Sequence, residues 1–328
     1  MRSLVLICLI ALLPAGRAPA AQDLLVAHQR VLVLGDSITH GGRYVSFLEY
    51  YFHELAPGAG CDLISIGLSG ETVSGLSEPG LPYPRSCVLE RLDRALTAVK
   101  PGVVLAFYGM NDGIYHPPAP ERRAAFLAGL HQLREKVAAA GARLVLLTPT
   151  VFEPEPLAAK TVPATAAVFG YSAPYVGYDE TLADLAHATV EFQQEGVMVV
   201  DIHTVMQAAQ AGHRARDREF YFTKDGVHPG DPGHLLIAQT LARALGLQIP
   251  ATADEDELAR ILRQPVFDLI HARRRLRSEA WLAFVGYSRE RPYKSAWVDA
   301  AESAAALLQR QIDATTATIP SQIHPGEP

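Results

Sequence analysis

Val31-Leu32-Val33-Leu34 running into Gly35-Asp36-Ser37-Ile38-Thr39 is the stretch that decides the fold. Four consecutive apolar residues read as a strand buried on both faces, and Gly-Asp punctuates its end. Downstream, Tyr44, Phe47, Leu48, Tyr51, Phe52 and Leu55 recur at helical spacing and mark one apolar face. A strand therefore passes through a short polar turn into a helix.

The same unit repeats along the chain. Leu63 to Ile66, Val103 to Phe107, Leu144 to Leu147 and Val197 to Val200 read as four more buried strands. Helices are expected around Val88 to Val99, Glu121 to Ala140, Asp179 to Gln194 and Pro232 to Leu245, with Asp231 placed to cap the last and Pro232 suited to its first position. Repeated strand-helix units joined by right-handed crossovers imply a parallel sheet covered on both faces. The expectation is an α/β fold: a flavodoxin-like, three-layer α/β/α sandwich on a five-stranded parallel sheet.

Three turns then matter most. The first strand ends at Ser37, the second runs into Gly67-Leu68-Ser69-Gly70-Glu71-Thr72, and the third into Tyr108-Gly109-Met110-Asn111-Asp112-Gly113. If the strand order is 2-1-3-4-5, these turns are neighbours at the carboxyl edge, where open α/β sheets bind ligands. A serine hydroxyl there needs a base to take its proton and return it to a leaving group. Lys224-Asp225-Gly226-Val227-His228-Pro229 carries one: Asp225 can hold the imidazole of His228 in the tautomer that leaves its other nitrogen facing Ser37. The backbone N–H groups of Ser37 and Gly70 and the side-chain amide of Asn111 would supply three donors to a developing oxyanion.

Each element also has a plainer reading. Ser37 could cap the helix it opens, Asn111 could stabilise its own turn, Gly70 could serve a positive φ, and a lone His228 could be a core histidine. Asp36 is expected to order the Ser37 turn and Asp112 the Asn111 loop. His40, His116 and His203 match no zinc-binding spacing and read as structural or solvent residues.

GDSIT at Ser37, GLSGET at Gly70, GMND at Asn111 and DGVH at Asp225 and His228 stand in order over roughly residues 30 to 246, and with them the chain resembles the SGNH, or GDSL-type, hydrolases. The resemblance extends to an exported bacterial branch with a helical tail beyond the histidine block. It implies hydrolysis of acyl esters without a metal or other cofactor, on substrates from acetylated polysaccharides to lysophospholipids and thioesters. Ser37 would be the nucleophile, His228 the base and Asp225 its orienting partner.

The rest of the chain narrows the setting. Its 328 residues carry a net charge of −6 with both signs mixed, so no footprint for nucleic acid or an anionic membrane appears. Arg2, the apolar run Leu4 to Leu13, Pro14, Gly16 and Ala18-Pro19-Ala20 form a signal-peptide pattern over residues 1–20, and with it an expectation of a secreted or periplasmic protein. The apolar run is shorter than the roughly 20 residues of a membrane span. Beyond that signal only Cys61 and Cys87 remain, either as a bridge or as two thiols.

The hydrolase domain is expected over residues 21–250, a helical extension over 251–313 and an unstructured tail over 314–328. Residues 149–178, rich in Pro and aromatics, form a long loop that reads either as a substrate wall or as a packed surface excursion. In the extension, Arg273, Arg274, Arg275 and Arg277 read first as a solvated helix face and second as an interface or a site for an anionic substrate group, and Trp281, Phe284 and Tyr287 as the helix's packing side. The functional expectation is a serine esterase taking short acyl groups, acetyl above all, from a small or carbohydrate ester through an acyl-Ser37 intermediate. The alternatives are a lysophospholipase or thioesterase with the same triad, and a glycan-binding protein that has lost turnover.

Overall fold

The computed structural model describes residues 29–57, 61–79, 81–195, 197–249, 254–287 and 296–317. The signal peptide expected at residues 1–20 lies outside them. Five parallel strands, β1 (Arg30–Gly35), β2 (Asp62–Ser65), β3 (Val103–Phe107), β4 (Arg143–Leu147) and β5 (Met198–Val200), form one sheet in the order β2-β1-β3-β4-β5. Their register puts Gly35, Phe107, Leu147 and Val200 in one row. The loops that follow therefore leave from the same edge.

Because the strands are buried on both sides, alternate residues feed two cores. Val31, Val33, Val103, Leu105 and Val145 face α2 (Arg43–Leu55) and α7 (Asp231–Ala244). Leu32, Leu34, Val104, Ala106 and Leu146 face α3 (Leu92–Val99) and α4 (Pro120–Ala139). Between β1 and α2 lies a separate short helix, α1 (Ser37–Gly41), which Gly42 ends with a φ of 60°. After β4 come α5 (Tyr178–Val190) and, after β5, α6 (Ile202–Arg214), a helix beyond those expected from periodicity.

The C-terminal part is α8 (Asp254–Leu262), α9 (Pro265–Val285) and α10 (Ala296–Ala317). It is built into the domain: Ile261, Phe267, Ile270 and Ile312 join the first core, Trp281, Val285 and Val298 the second. Arg277 explains how the extension closes the exposed edge of β2. Its Nη1 donates to the Leu63 carbonyl at 3.0 Å, and the guanidinium pairs with Asp62 at 2.7 Å and Glu302 at 3.0 Å. An edge strand covered in this way is no longer a template for another chain.

Three expectations need correction, and one open alternative is decided. Arg274 and Arg277 are buried, at 3% and 6% exposure, so the basic cluster is only in part a solvated face. Asp231 does not cap α7: Gly230 holds that position, and the Asp231 carboxylate takes a two-point contact from Arg43 at 2.9 and 3.2 Å. The chain after Asp313 stays helical to Ala317, and the remainder of the tail lies outside the described residues. Of the two readings open for Cys61 and Cys87, the structure has two free thiols. Cys61 precedes β2, whereas Cys87 pairs with Thr72 in the chain that follows that strand. Among the described residues no helix is long and apolar enough to cross a membrane.

Candidate active site

Gly35 sits where β1 must turn hard against its neighbours. A Cβ there would lie 2.2 Å from Thr39 Oγ1 and 2.7 Å from the Phe107 carbonyl, so only glycine fits. Asp36 then caps α1, its Oδ1 accepting from the Ile38 N–H at 2.9 Å. With the cap supplied by Asp36, the Ser37 hydroxyl is available for another partner.

That partner is His228. Its Nε2 lies 2.8 Å from Ser37 Oγ, and its Nδ1 lies 2.7 Å from Asp225 Oδ2. Asp225 Oδ1 accepts from the backbone N–H groups of Val227 at 3.1 Å and His228 at 2.7 Å. Burial pushes the Asp225 carboxyl up, but these hydrogen bonds outweigh it and bring the pKa down to about 2. Asp225 is therefore an anion that accepts from Nδ1–H, which leaves Nε2 unprotonated to accept from the serine O–H. Aspartate raises the His228 pKa through that hydrogen bond, against partial burial.

The turn that carries this pair is anchored by a residue outside the sequence motifs. Glu153, 1% exposed, accepts from the Thr223 N–H at 2.6 Å and hydroxyl at 2.7 Å, and pairs with Arg214 at 3.1 Å. Its backbone N–H also donates to the Gly226 carbonyl at 3.1 Å.

Gly70 and Asn111 meet through a side chain that no motif marked. Arg85 Nη1 donates to the Gly70 carbonyl at 3.2 Å and to Asn111 Oδ1 at 3.0 Å, while Nε and Nη2 grip Glu78 at 2.6 Å each. The Tyr115 hydroxyl donates to the same Asn111 Oδ1 at 3.2 Å. With its oxygen doubly engaged, the Asn111 amide is fixed in orientation: one N–H goes to the Glu71 carbonyl at 3.3 Å, and the second has no protein partner among the described residues. Asp112, fully buried, gathers the N–H groups of Val73, Ser74 and Gly109 at 2.8 to 2.9 Å and so ties the two loops together.

Gly70 has a φ of 77°, a left-handed conformation that suits glycine. The next residue, Glu71, is locked from below: its carboxylate takes Arg91 at 2.6 and 2.7 Å and the Tyr108 hydroxyl at 2.7 Å, all buried. Toward Ser37, the Leu68 N–H donates to the Gly35 carbonyl at 2.9 Å, and Ser69 meets His40 Nδ1 through its N–H and hydroxyl at 3.3 and 3.1 Å. The residues expected from the sequence thus form two groups. Ser37, His228 and Asp225 are one hydrogen-bonded chain; Gly70 and Asn111 are held together by Arg85 beside it.

Residues 149–178 pack over this edge. Tyr175 N–H donates to the Tyr115 carbonyl at 2.9 Å, the Tyr171 ring stands edge-on to Tyr115 at 5.6 Å, and Gly170 lies beside Glu78. On the other side of the same loop, Leu157 packs against Gly226. The loop therefore borders both groups, and it leaves Tyr171 half exposed. His40, His116 and His203 belong to no cluster: among the described residues there is no group of three or more His, Cys, Asp or Glu side chains able to hold a metal.

Comparison with known proteins bears on the family and the fold. The family model described as the GDSL-like lipase/acylhydrolase family matches residues 33–236, more than half of the chain. No curated protein sequence matches. Among solved structures the fold is similar to BT4096, a gut microbial diltiazem-metabolizing enzyme, at 21% identity over 69% of this chain and 49% of that one, with a TM-score of 0.54. This chain thus spans about half the length of that enzyme. The fold is also similar to a catalytic mutant of Axe2, an acetylxylan esterase from Geobacillus stearothermophilus, at 18% identity over 70% of this chain and 100% of that one, with a TM-score of 0.52. A further Axe2 mutant, described as an acetyl-xylooligosaccharide esterase, gives 19%, 70%, 100% and 0.51. At these identities the likeness concerns the fold.

Proposed function

The chain belongs to the GDSL-like lipase/acylhydrolase family and is a carboxylic-ester hydrolase, and from its site we propose that it removes short acyl groups, acetyl foremost, from carbohydrate esters through an acyl-Ser37 intermediate. The observation that carries this reading is the chain of hydrogen bonds from Ser37 Oγ through His228 to Asp225, at 2.8 and 2.7 Å. Ser37 Oγ attacks the ester carbonyl carbon as its proton passes to His228 Nε2. The carbonyl oxygen becomes an oxyanion facing the N–H groups of Ser37 and Gly70 and the second N–H of Asn111. Collapse breaks the bond to the alkoxy oxygen, which leaves with the proton from His228. Water then gives its proton to the same nitrogen, attacks the acyl-serine and releases the acid, and Ser37 recovers its proton.

The short-acyl preference rests on the openness of the site. The side chains of Asp225 and His228 are 48% and 37% exposed, so the ester is presented at a surface and not drawn into an enclosed acyl tunnel. Exposed Tyr171, edge-on to Tyr115 beside the site, offers a flat apolar face of the kind that sugar C–H faces stack on. On a series of 4-nitrophenyl esters, kcat/KM is expected to peak at acetate and to be at least about tenfold lower at octanoate. Acetate release from acetylated xylo-oligosaccharides should accompany it. A maximum at long chains would point to a lysophospholipase or thioesterase and overturn this reading.

The pH profile supplies a second test. His228 acts as base only when neutral, and Asp225 raises its pKa, so the acid limb of kcat/KM should inflect above the ordinary histidine value of about 6.5. Asp36 lies beneath the pair, pushed up to about 7 by burial, and its ionised form raises His228 further. Asp36→Asn keeps an oxygen to cap the Ile38 N–H but removes that charge, so the limb is expected to move to lower pH. Stability should respond too. A carboxyl raised in the folded state carries no penalty below its unfolded pKa near 3.8 and a full one above about 7. The substituted protein should therefore gain stability over the native one at pH 8 and lose that advantage at pH 3.5. A limb that stays in place or moves up refutes the coupling.

A further inference from the structure

The extension builds one wall of a cavity of about 470 Å³ next to the candidate active site. The end of α1, through Thr39 and His40, and the start of the loop after β2, through Gly67, form one side; Arg274, Ser278 and Tyr287 form the other. His40 stands three residues after Ser37, roughly 4.5 Å along the helix axis. It also holds Ser69, which precedes Gly70. The His40–Ser69 pair is thus the partition between this cavity and the oxyanion donors.

Arg274 decides what the cavity takes. Three arginines are buried among the described residues. Arg91 pairs with Glu71, and Arg277 with Asp62 and Glu302. Arg274 has no carboxylate partner among the described residues, and its Nη2 donates to a neutral acceptor, the Gly41 carbonyl, at 2.9 Å. Glu49, across on α2, favours the charged form of Arg274 through space, but its carboxylate pairs with Arg273 at 3.2 Å and makes no hydrogen bond to Arg274. Arg274 Nε and the Ser278 hydroxyl are buried with no partner among the described residues. Burial lowers the Arg274 pKa to about 10, which still leaves the guanidinium charged at neutral pH.

The other charges in the cavity leave this excess in place. Arg275 and Glu279 both line it and meet at 3.4 Å, but their side chains are 62% and 69% exposed, a surface pair that cancels itself at little gain. Burial disfavours the charged form of His40. A buried cation whose neighbouring carboxylate is paired with another arginine is under-compensated, and a pocket that opens on it is suited to an incoming anion. Leu282 and Tyr287 add an apolar wall of the kind that receives a sugar ring.

We infer that this cavity binds a carboxylate carried by the saccharide whose acyl ester lies at Ser37, so that the extension selects acidic sugars as substrates. The inference rests on the acyl-Ser37 reading, and two measurements keep them separate. In the first, monoacetylated glucuronic acid is compared with monoacetylated glucose. The native protein is expected to favour the acid by about tenfold or more in kcat/KM, the size of one charge-assisted hydrogen bond. In Arg274→Gln that ratio should fall toward one. Arg275→Gln, at an exposed position that folding does not depend on, should reduce it in part. A ratio, unlike an absolute rate, is insensitive to a fraction of misfolded protein.

The second measurement needs no turnover: binding of free glucuronate and free glucose to the Ser37→Ala protein by calorimetry. Glucuronate should bind more tightly, and the addition of Arg274→Gln should remove the difference. Equal binding of the two sugars, or inorganic phosphate binding as well as glucuronate does, would overturn the inference, the latter by reducing the cavity to a site for any small anion. If the native protein hydrolyses 4-nitrophenyl acetate but treats the two sugar acetates alike, the inference fails and the esterase reading stands. If glucuronate is selected without hydrolysis of any acetate, the esterase reading fails and the cavity stands.

Discussion

Ser37→Ala is expected to lower kcat on 4-nitrophenyl acetate by about 10⁴-fold or more while leaving thermal stability within about 0.5 kcal/mol of the native protein. The two halves of that expectation come from different atoms. The loss of rate follows because the only proton path to His228 Nε2 described in the site starts at Ser37 Oγ. The unchanged stability follows because Asp36, not Ser37, caps α1. Were Ser37 a structural cap, alanine would cost about 1 kcal/mol and leave turnover intact. Steady-state rates and thermal melts on one preparation separate the cases, and a variant that melts early but still turns over would remove Ser37 from the chemistry.

That contrast also explains which parts of the molecule are legible from its sequence. The five strands are, because a strand buried on both faces has to be a continuous apolar run. Ser37, Asp225 and His228 are, because each sits in a short turn whose local residues already fix its chemistry. α6 is less so: Ile202, Val205, Met206 and Ala209 stand at helical spacing and pack on the first core, but the stripe is short and only Ile202 and Met206 of it are fully buried. Asp231 looks like a cap in isolation, but Arg43, distant in sequence, claims its carboxylate. Arg274 and Arg277 lie in a run of basic residues that reads as solvated. Yet Ile270, Arg274, Arg277 and Trp281 follow one helical face, and that spacing is the signal that marks the two arginines as inward. Arg85 carries no signal of this kind, since it stands in an irregular loop and all of its partners are tertiary.

Arg85 nevertheless governs the second large effect. Arg85→Met is expected to lower kcat by about 10² to 10³-fold with little change in KM, the cost of losing one oxyanion donor. Asn111 can aim its second N–H at an oxyanion only while its oxygen is held by Arg85 and Tyr115, and the same guanidinium steadies the Gly70 carbonyl. The difficulty is that Glu78, 3% exposed, would be left as an unpaired buried charge, which alone costs about 3 to 5 kcal/mol and could lower activity through misfolding. The double variant Arg85→Met with Glu78→Met separates the two causes. Removing both charges should restore much of the stability, because a buried ion pair contributes little over apolar side chains of like volume. It should not restore kcat, because nothing then orients Asn111. A double variant that regains both would make Arg85 a structural residue; one that regains stability alone assigns Arg85, which none of the four sequence blocks contains, to positioning the oxyanion donors.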